Sequence, residues 1–122
     1  MIQKYIAMTA LALLPVVSAV AQTLPKADVS TEKLVQLCDN PTDEVAQTFC
    51  FGYGEGVYQG YAVSRDAKAP STICIPKEGI GVTRSEVVAD FVRWSRSNPK
   101  YDQDYAASTV LKFLEVRFPC KG

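Results

Sequence analysis

Residues 40–62 read NPTDEVAQTFCFGYGEGVYQGYA, and their reading decides the fold. Asn40 can cap a helix and proline is favoured at the first helical position, so Asn40-Pro41 marks a start. Asp43 and Glu44 fall in the first turn, where the helix dipole favours acid. Val45, Phe49, Tyr53, Val57 and Tyr61 then recur every four residues, which predicts one long central helix over 41–62. Gly52, Gly56 and Gly60 step by four beside that row. An interior glycine weakens a helix by about 0.8–1 kcal/mol relative to alanine. The stripe is therefore expected to admit the close approach of a neighbouring backbone. A G-xxx-G repeat also occurs in paired membrane helices, but Glu55 and Gln59 sit among these residues and argue against burial in lipid.

Three shorter helices flank the central one. Ser30 is a fair N-cap with Glu32 in the first turn, and Leu34, Val35, Leu37 and Cys38 supply an apolar stripe, so 31–38 is a helix. Thr83-Arg84-Ser85-Glu86 is a capping box, with Val82 and Val87 spaced as a hydrophobic staple. It opens a helix over 84–97 that buries Val87, Val88, Phe91, Val92 and Trp94, and Asn98-Pro99 ends it. Asp102 can cap a fourth helix over 103–117, with Ala106, Val110, Phe113, Leu114 and Val116 as its apolar set. Residues 63–81 are a loop, long for a structureless connection; loops of that length are often functional or crosslinked, and Cys74 suggests a crosslink. Nothing alternates with period two over a useful length, so no substantial sheet is expected. The expected fold class is all-α, a compact bundle of about four helices.

The N-terminal segment sits apart from this domain. Lys4 gives a short positive start, Tyr5 to Val17 is apolar without a charge, and Ala19 and Ala21 are the small residues a signal peptidase reads. Residues 1–21 therefore read as a secretory signal peptide, cleaved before Gln22. The apolar run is short for a membrane span, which takes about 20 apolar residues. The expected mature domain is 22–122, with net charge −1 and a flexible lead over 22–29.

All four cysteines, Cys38, Cys50, Cys74 and Cys120, lie in that domain. An even count in an exported chain reads as two disulfides. A four-cysteine zinc site usually takes ligands in close pairs, and the gaps here are 12, 24 and 46 residues. Four cysteines permit three connectivities. The first two helices form a hairpin between Cys38 and Cys50, and the last two bring Cys120 back near Cys74. The geometry favours Cys38–Cys50 with Cys74–Cys120.

Composition excludes several function classes. Thirteen basic and thirteen acidic side chains give no net charge, against a nucleic-acid binder, which needs a basic excess or face. The chain has no histidine, so it has no Ser-His or Cys-His pair and no imidazole metal ligand. No metal or cofactor is expected. Asp43, Glu44, Glu86, Asp102 and Asp104 sit where helix starts use acid, which leaves no evident catalytic carboxylate pair. The expectation is a binding protein, not an enzyme. Glu55 is the odd acid, on the glycine-rich helix near Tyr58 and Gln59. Tyr53 and Tyr61 share the row of Phe49 and are assigned to packing, whereas Tyr58 points elsewhere and suits an interface. Arg65, Asp66 and Lys68 are the charged groups of the long loop that a partner reaches most easily. The candidate partner-binding residues are therefore Glu55, Tyr58, Gln59, Arg65, Asp66 and Lys68.

Several short elements carry a family likeness. They are Leu37-Cys38, Phe49-Cys50-Phe51-Gly52-Tyr53 with Gly56, Cys74-Ile75-Pro76, Gly81-Val82-Thr83 opening a helix, Asn98-Pro99 and Phe118-Pro119-Cys120. In this order and spacing, over about residues 34–120, the chain resembles the Rap/Tai immunity family, small periplasmic proteins associated with type VI secretion. The resemblance implies a compact, all-helical, disulfide-bonded domain whose cysteine framework maps to Cys38, Cys50, Cys74 and Cys120. It implies binding to a secreted cell-wall amidase effector, blocking its active site, and in some relatives a homodimer. The residues that contact the effector do not carry over. A second class is a periplasmic helical chaperone or envelope-stress protein without a dedicated toxin. A small lysozyme-type hydrolase ranks last.

Overall fold

The computed structural model describes residues 29–77 and 81–121. The expected signal segment and all but the last residue of the lead lie outside the described residues. The described residues form four α-helices: α1 (Thr31–Cys38), α2 (Glu44–Ser64), α3 (Arg84–Arg96) and α4 (Ala106–Arg117), with a 3₁₀ turn over Pro99–Tyr101. Each α-helix contacts the other three. Among the described residues there is no strand; two isolated bridges, Ser30 with Tyr105 and Ile73 with Pro119, fasten the connections. No described helix is long and apolar enough to cross a membrane. The expected all-α bundle is the observed architecture.

The caps follow side-chain chemistry. Ser30 caps α1 by accepting from the Lys33 amide at 3.3 Å. At α3 both arms of the capping box form: Glu86 N–H donates to Thr83 Oγ1 at 3.2 Å and Thr83 N–H to Glu86 Oε2 at 2.8 Å. Two starts differ from expectation. α2 begins at Glu44, because Asp43 Oδ1 accepts from both Val45 N–H and Ala46 N–H, at 3.0 and 3.1 Å. Asn40 instead donates its amide to the Gln36 and Leu37 carbonyls, at 3.2 and 3.1 Å, so it closes α1. α4 begins at Ala106, because Asp102 and Asp104 are taken up by the turns after Pro99. Those turns hold the start of α1: Thr31 N–H donates to the Asp104 carbonyl and Glu32 N–H to the Asp102 carbonyl, each at 3.0 Å. Thr31 Oγ1 pairs with Thr109 Oγ1 at 2.7 Å, both side chains fully buried, so α1 and α4 share a satisfied polar contact inside the core.

Leu34, Val35 and Cys38 of α1, Val88, Phe91 and Val92 of α3, and Ala106, Val110, Phe113 and Leu114 of α4 make the core, with Phe118 beneath. Phe113 is its hub, with Phe91 edge-on at 5.4 Å and Trp94 at 5.8 Å between ring centroids. Both disulfides have the favoured pairing, Cys38–Cys50 with Cα atoms 5.5 Å apart and Cys74–Cys120 at 4.9 Å. The second disulfide crosslinks the long loop. There Ile73 is buried, and Cys74 N–H donates to the Phe118 carbonyl at 2.8 Å.

α2 departs most from expectation. Its row stepping by four does not stay on one face. With 3.6 residues per turn, each step of four advances about 40° around the axis. Val45 and Phe49 are therefore exposed, at 80% and 50%, while Tyr53, Val57 and Tyr61 rotate onto the core. The buried positions are Ala46 and Cys50. The glycine stripe faces outward as well. A β-carbon at Gly52, Gly56 or Gly60 would meet nothing within 4 Å, so among the described residues no neighbouring backbone lies against them.

Candidate functional site

α2 presents two surfaces that the other described residues leave open. The outward one carries Val45, Phe49, Gly52, Gly56, Gly60 and Val63, without a charged side chain, over a helix of 21 residues. Val63 is 85% exposed. Among the described residues Phe49 stacks on Tyr53 alone, at 6.2 Å between centroids. The ends of this helix are firmly held: Cys50 ties the first half to α1, and Tyr61 reaches the long loop. There Tyr61 Oη lies 3.3 Å from Thr72 Oγ1, whose own proton goes to Glu115 Oε1 at 3.0 Å, so Tyr61 is the donor of the pair. This relay links α2 to α4 across the loop.

The second surface is a groove of about 520 Å³ between α2, α3 and the end of the loop. Its floor reaches the core at Leu34, Val88, Phe91, Val110 and Leu114. Ile75 and Val82 line its edge and stay 40% and 37% exposed. Polar side chains stand around it: Glu55 and Gln59 from α2, Lys77 from the loop, and Arg84 from the first turn of α3. Gln59 Nε2 donates to Glu55 Oε1 at 3.3 Å, one helical turn apart. The Arg84 guanidinium lies over the Phe51 ring at 4.5 Å, a cation–π contact.

Of the six candidate partner residues, the fold brings three together on this groove: Glu55, Tyr58 and Gln59. Tyr58 is half-buried beside the core, 6.5 Å from Tyr61. Arg65, Asp66 and Lys68 lie apart, beyond the C-terminal end of α2. They shape the loop's own turn: Arg65 Nη1 donates to the Ala69 carbonyl at 2.8 Å and Lys68 N–H to Asp66 Oδ1 at 2.9 Å. All three remain exposed. Two residues of the groove escape a reading of the sequence by caps and periodicity, Lys77 and Arg84. Arg84 carried a usable signal: a cation in the first turn of a helix opposes the macrodipole, so its position answers to something other than the helix. Among the described residues no group of three or more His, Cys, Asp or Glu side chains is placed to hold a metal ion.

Burial pushes the Tyr53 phenol above the usual tyrosine range, as expected for a ring turned toward the core. On α3, the Arg117 guanidinium holds the Asp90 carboxyl below the usual carboxylate range, with Arg93 adding to it. That pair joins α3 to α4 and lies outside the groove.

Residues 30–120 match the family model described as Rap1a immunity proteins. No curated protein and no solved structure matches the chain.

Proposed function

Because the chain belongs to the Rap1a immunity protein family, we propose that it is a periplasmic immunity protein that binds and blocks a peptidoglycan amidase effector delivered by type VI secretion. The family match over residues 30–120 carries this reading, since an immunity protein acts by binding its toxin. The two disulfides fit an exported protein, delivered by a signal peptide over 1–21 as a mature domain of 22–122. Its action is occlusion, without catalysis or a cofactor. The rigid crosslinked frame suits that role, because a binder that is already ordered loses less entropy on association.

The effector-facing residues are Glu55, Tyr58 and Gln59 on the groove side of α2 and Arg65, Asp66 and Lys68 past its end. The uncharged outward face of α2 fits a second copy in a homodimer, with glycines that let two helices approach closely.

The test is co-expression with a candidate cell-wall amidase effector of type VI secretion, both directed to the periplasm. The expected result is protection from lysis, together with a stable complex on size exclusion and loss of amidase activity. Absence of both binding and protection overturns the reading. Glu55→Lys and Lys68→Glu should slow association and change its salt dependence while leaving the fold intact, as charges at an interface rim do.

A further inference from the structure

The groove between α2 and α3 joins an apolar floor to a cationic edge. Leu34, Val88, Phe91, Val110, Leu114 and Phe118 line the floor. Ser95 Oγ is the one buried side-chain polar atom without a hydrogen-bond partner among the described residues, and it does not line the groove. The six floor side chains are hydrocarbon and offer a guest no hydrogen bond; Tyr58 and Thr83 are the lining residues that carry a hydroxyl. An extended peptide would carry an amide N–H and a carbonyl onto that floor at every residue, each left unpaired. A hydrocarbon chain has no such groups to satisfy.

The edge has the opposite character. Lys77 and Arg84 both line it, and neither is in an ion pair among the described residues. Arg84 is fixed over the Phe51 ring, which itself lines the groove, and it stands at the positive end of the α3 dipole. The one carboxylate among the lining residues, Glu55, accepts from the Gln59 amide and keeps its charge, so the two cations outnumber it. The volume, about 520 Å³, falls in the range of small-ligand sites. We infer that the groove binds a long-chain carboxylate, its alkyl tail on the floor between α2 and α3 and its head at Lys77 and Arg84. This is a property of the protein additional to toxin binding, and it does not depend on that reading.

The site can be filled without disturbing the fold. Gly54 lines the groove, and a β-carbon there meets nothing within 4 Å. Gly54→Leu puts a side chain into the groove while improving helix propensity.

The experiment is calorimetric titration of the disulfide-intact protein with octanoate, decanoate and laurate, each below its micellar concentration. The expected result is one site, with affinity rising about fourfold per added methylene until the groove is full, as the transfer of a methylene from water dictates. Dodecyltrimethylammonium, with a tail one carbon longer than that of laurate and a cationic head, should bind at least about tenfold more weakly, and Lys77→Glu with Arg84→Glu should reverse that preference. Gly54→Leu should abolish binding while keeping the native circular dichroism and a melting temperature no lower than the native one. No binding, no dependence on chain length, or equal affinity for both heads overturns the proposal. So does a Gly54→Leu protein that binds laurate normally. Should Gly54→Leu lose only amidase binding while the native protein takes up no carboxylate, the groove is a protein-anchor site and the inference is wrong.

Discussion

α2 spans 21 residues and buries two, whereas α4 spans 12 and buries five. The difference lies in the spacing of their apolar residues. In α4 the buried positions Ala106, Thr109, Val110, Phe113 and Leu114 alternate steps of three and one, which keeps them in one stripe. In α2 the prominent row steps by four, so it begins in solvent and winds onto the core only after two turns. α4 is thus a core helix and α2 a surface helix held by its edges. Phe113 and Phe49 expose the contrast most sharply, at 3% and 50% exposure. Phe113→Ala should destabilise by about 3–5 kcal/mol, since it opens a cavity at the aromatic hub. Phe49→Ala should cost under about 1 kcal/mol, because much of that ring is already in water. Urea denaturation of both variants checks this, and equal losses would break the distinction between the helices.

The two crosslinks extend the comparison. Cys74–Cys120 closes 46 residues and fixes the end of α4 to the loop, while Cys38–Cys50 closes 12 and ties α2 to α1. Loop-closure entropy gives about 4 kcal/mol for the longer bridge and about 3 for the shorter. Cys74→Ala with Cys120→Ala should therefore lower stability more than Cys38→Ala with Cys50→Ala, by about 1 kcal/mol. The reverse order would mean that α2, with so little buried surface, depends on its disulfide to dock at all.

Much of this was legible in the sequence. Ser30, Thr83 and Glu86 announce helix starts by local chemistry alone, and the structure places each cap where the side chain demands it. The cysteine pairing followed from helices returning upon each other. What the sequence hid was rotational phase and competition. A four-residue repeat looks like a stripe on paper, and only accumulated rotation shows that Val45 and Tyr61 face different surroundings. Asn40 and Asp43 both suit a helix start, and the choice fell to Asp43 because the Asn40 amide is spent on the carbonyls of Gln36 and Leu37. The groove was half legible: Glu55, Tyr58 and Gln59 were singled out, but Lys77 and Arg84 join them only through the tertiary fold.

The glycines of α2 give a sharper test of its surface role. Gly56 is exposed in mid-helix with open space around its β-position. On intrinsic grounds Gly56→Ala should stabilise the isolated protein by about 0.8–1 kcal/mol. A glycine kept where alanine would be more stable points to a contact made with another molecule. If the outward face pairs two copies, Gly56→Ala should raise the melting temperature at low concentration and weaken self-association. Gly56→Leu should abolish self-association. Sedimentation equilibrium separates the two effects, and a gain in stability with unchanged association would remove the face from any interface.

The smallest expected effect belongs to the ion pair that binds α4 to α3 and, among the described residues, has no counterpart on α2. Arg117 Nε donates to Asp90 Oδ2 at 3.0 Å, and Arg93 reaches Oδ1 at 2.8 Å from the same helix as Asp90. The folded-state pKa of Asp90 is depressed, chiefly by the Arg117 hydrogen bond. The unfolded chain therefore binds the proton more readily than the folded one, and stability contributed by the pair is present above the ordinary carboxylate value of about 3.9. It is lost as pH falls through the folded value below that. Both partners are partly solvated, so the contribution is about 0.5–1 kcal/mol. Asp90→Asn should lower stability by that amount at pH 7, and the gap from the native protein should close as pH drops below about 4. Urea melts across that range decide it. A gap that persists in acid would assign the loss to packing between α3 and α4, and the charge would have no part in what sets α4 apart from α2.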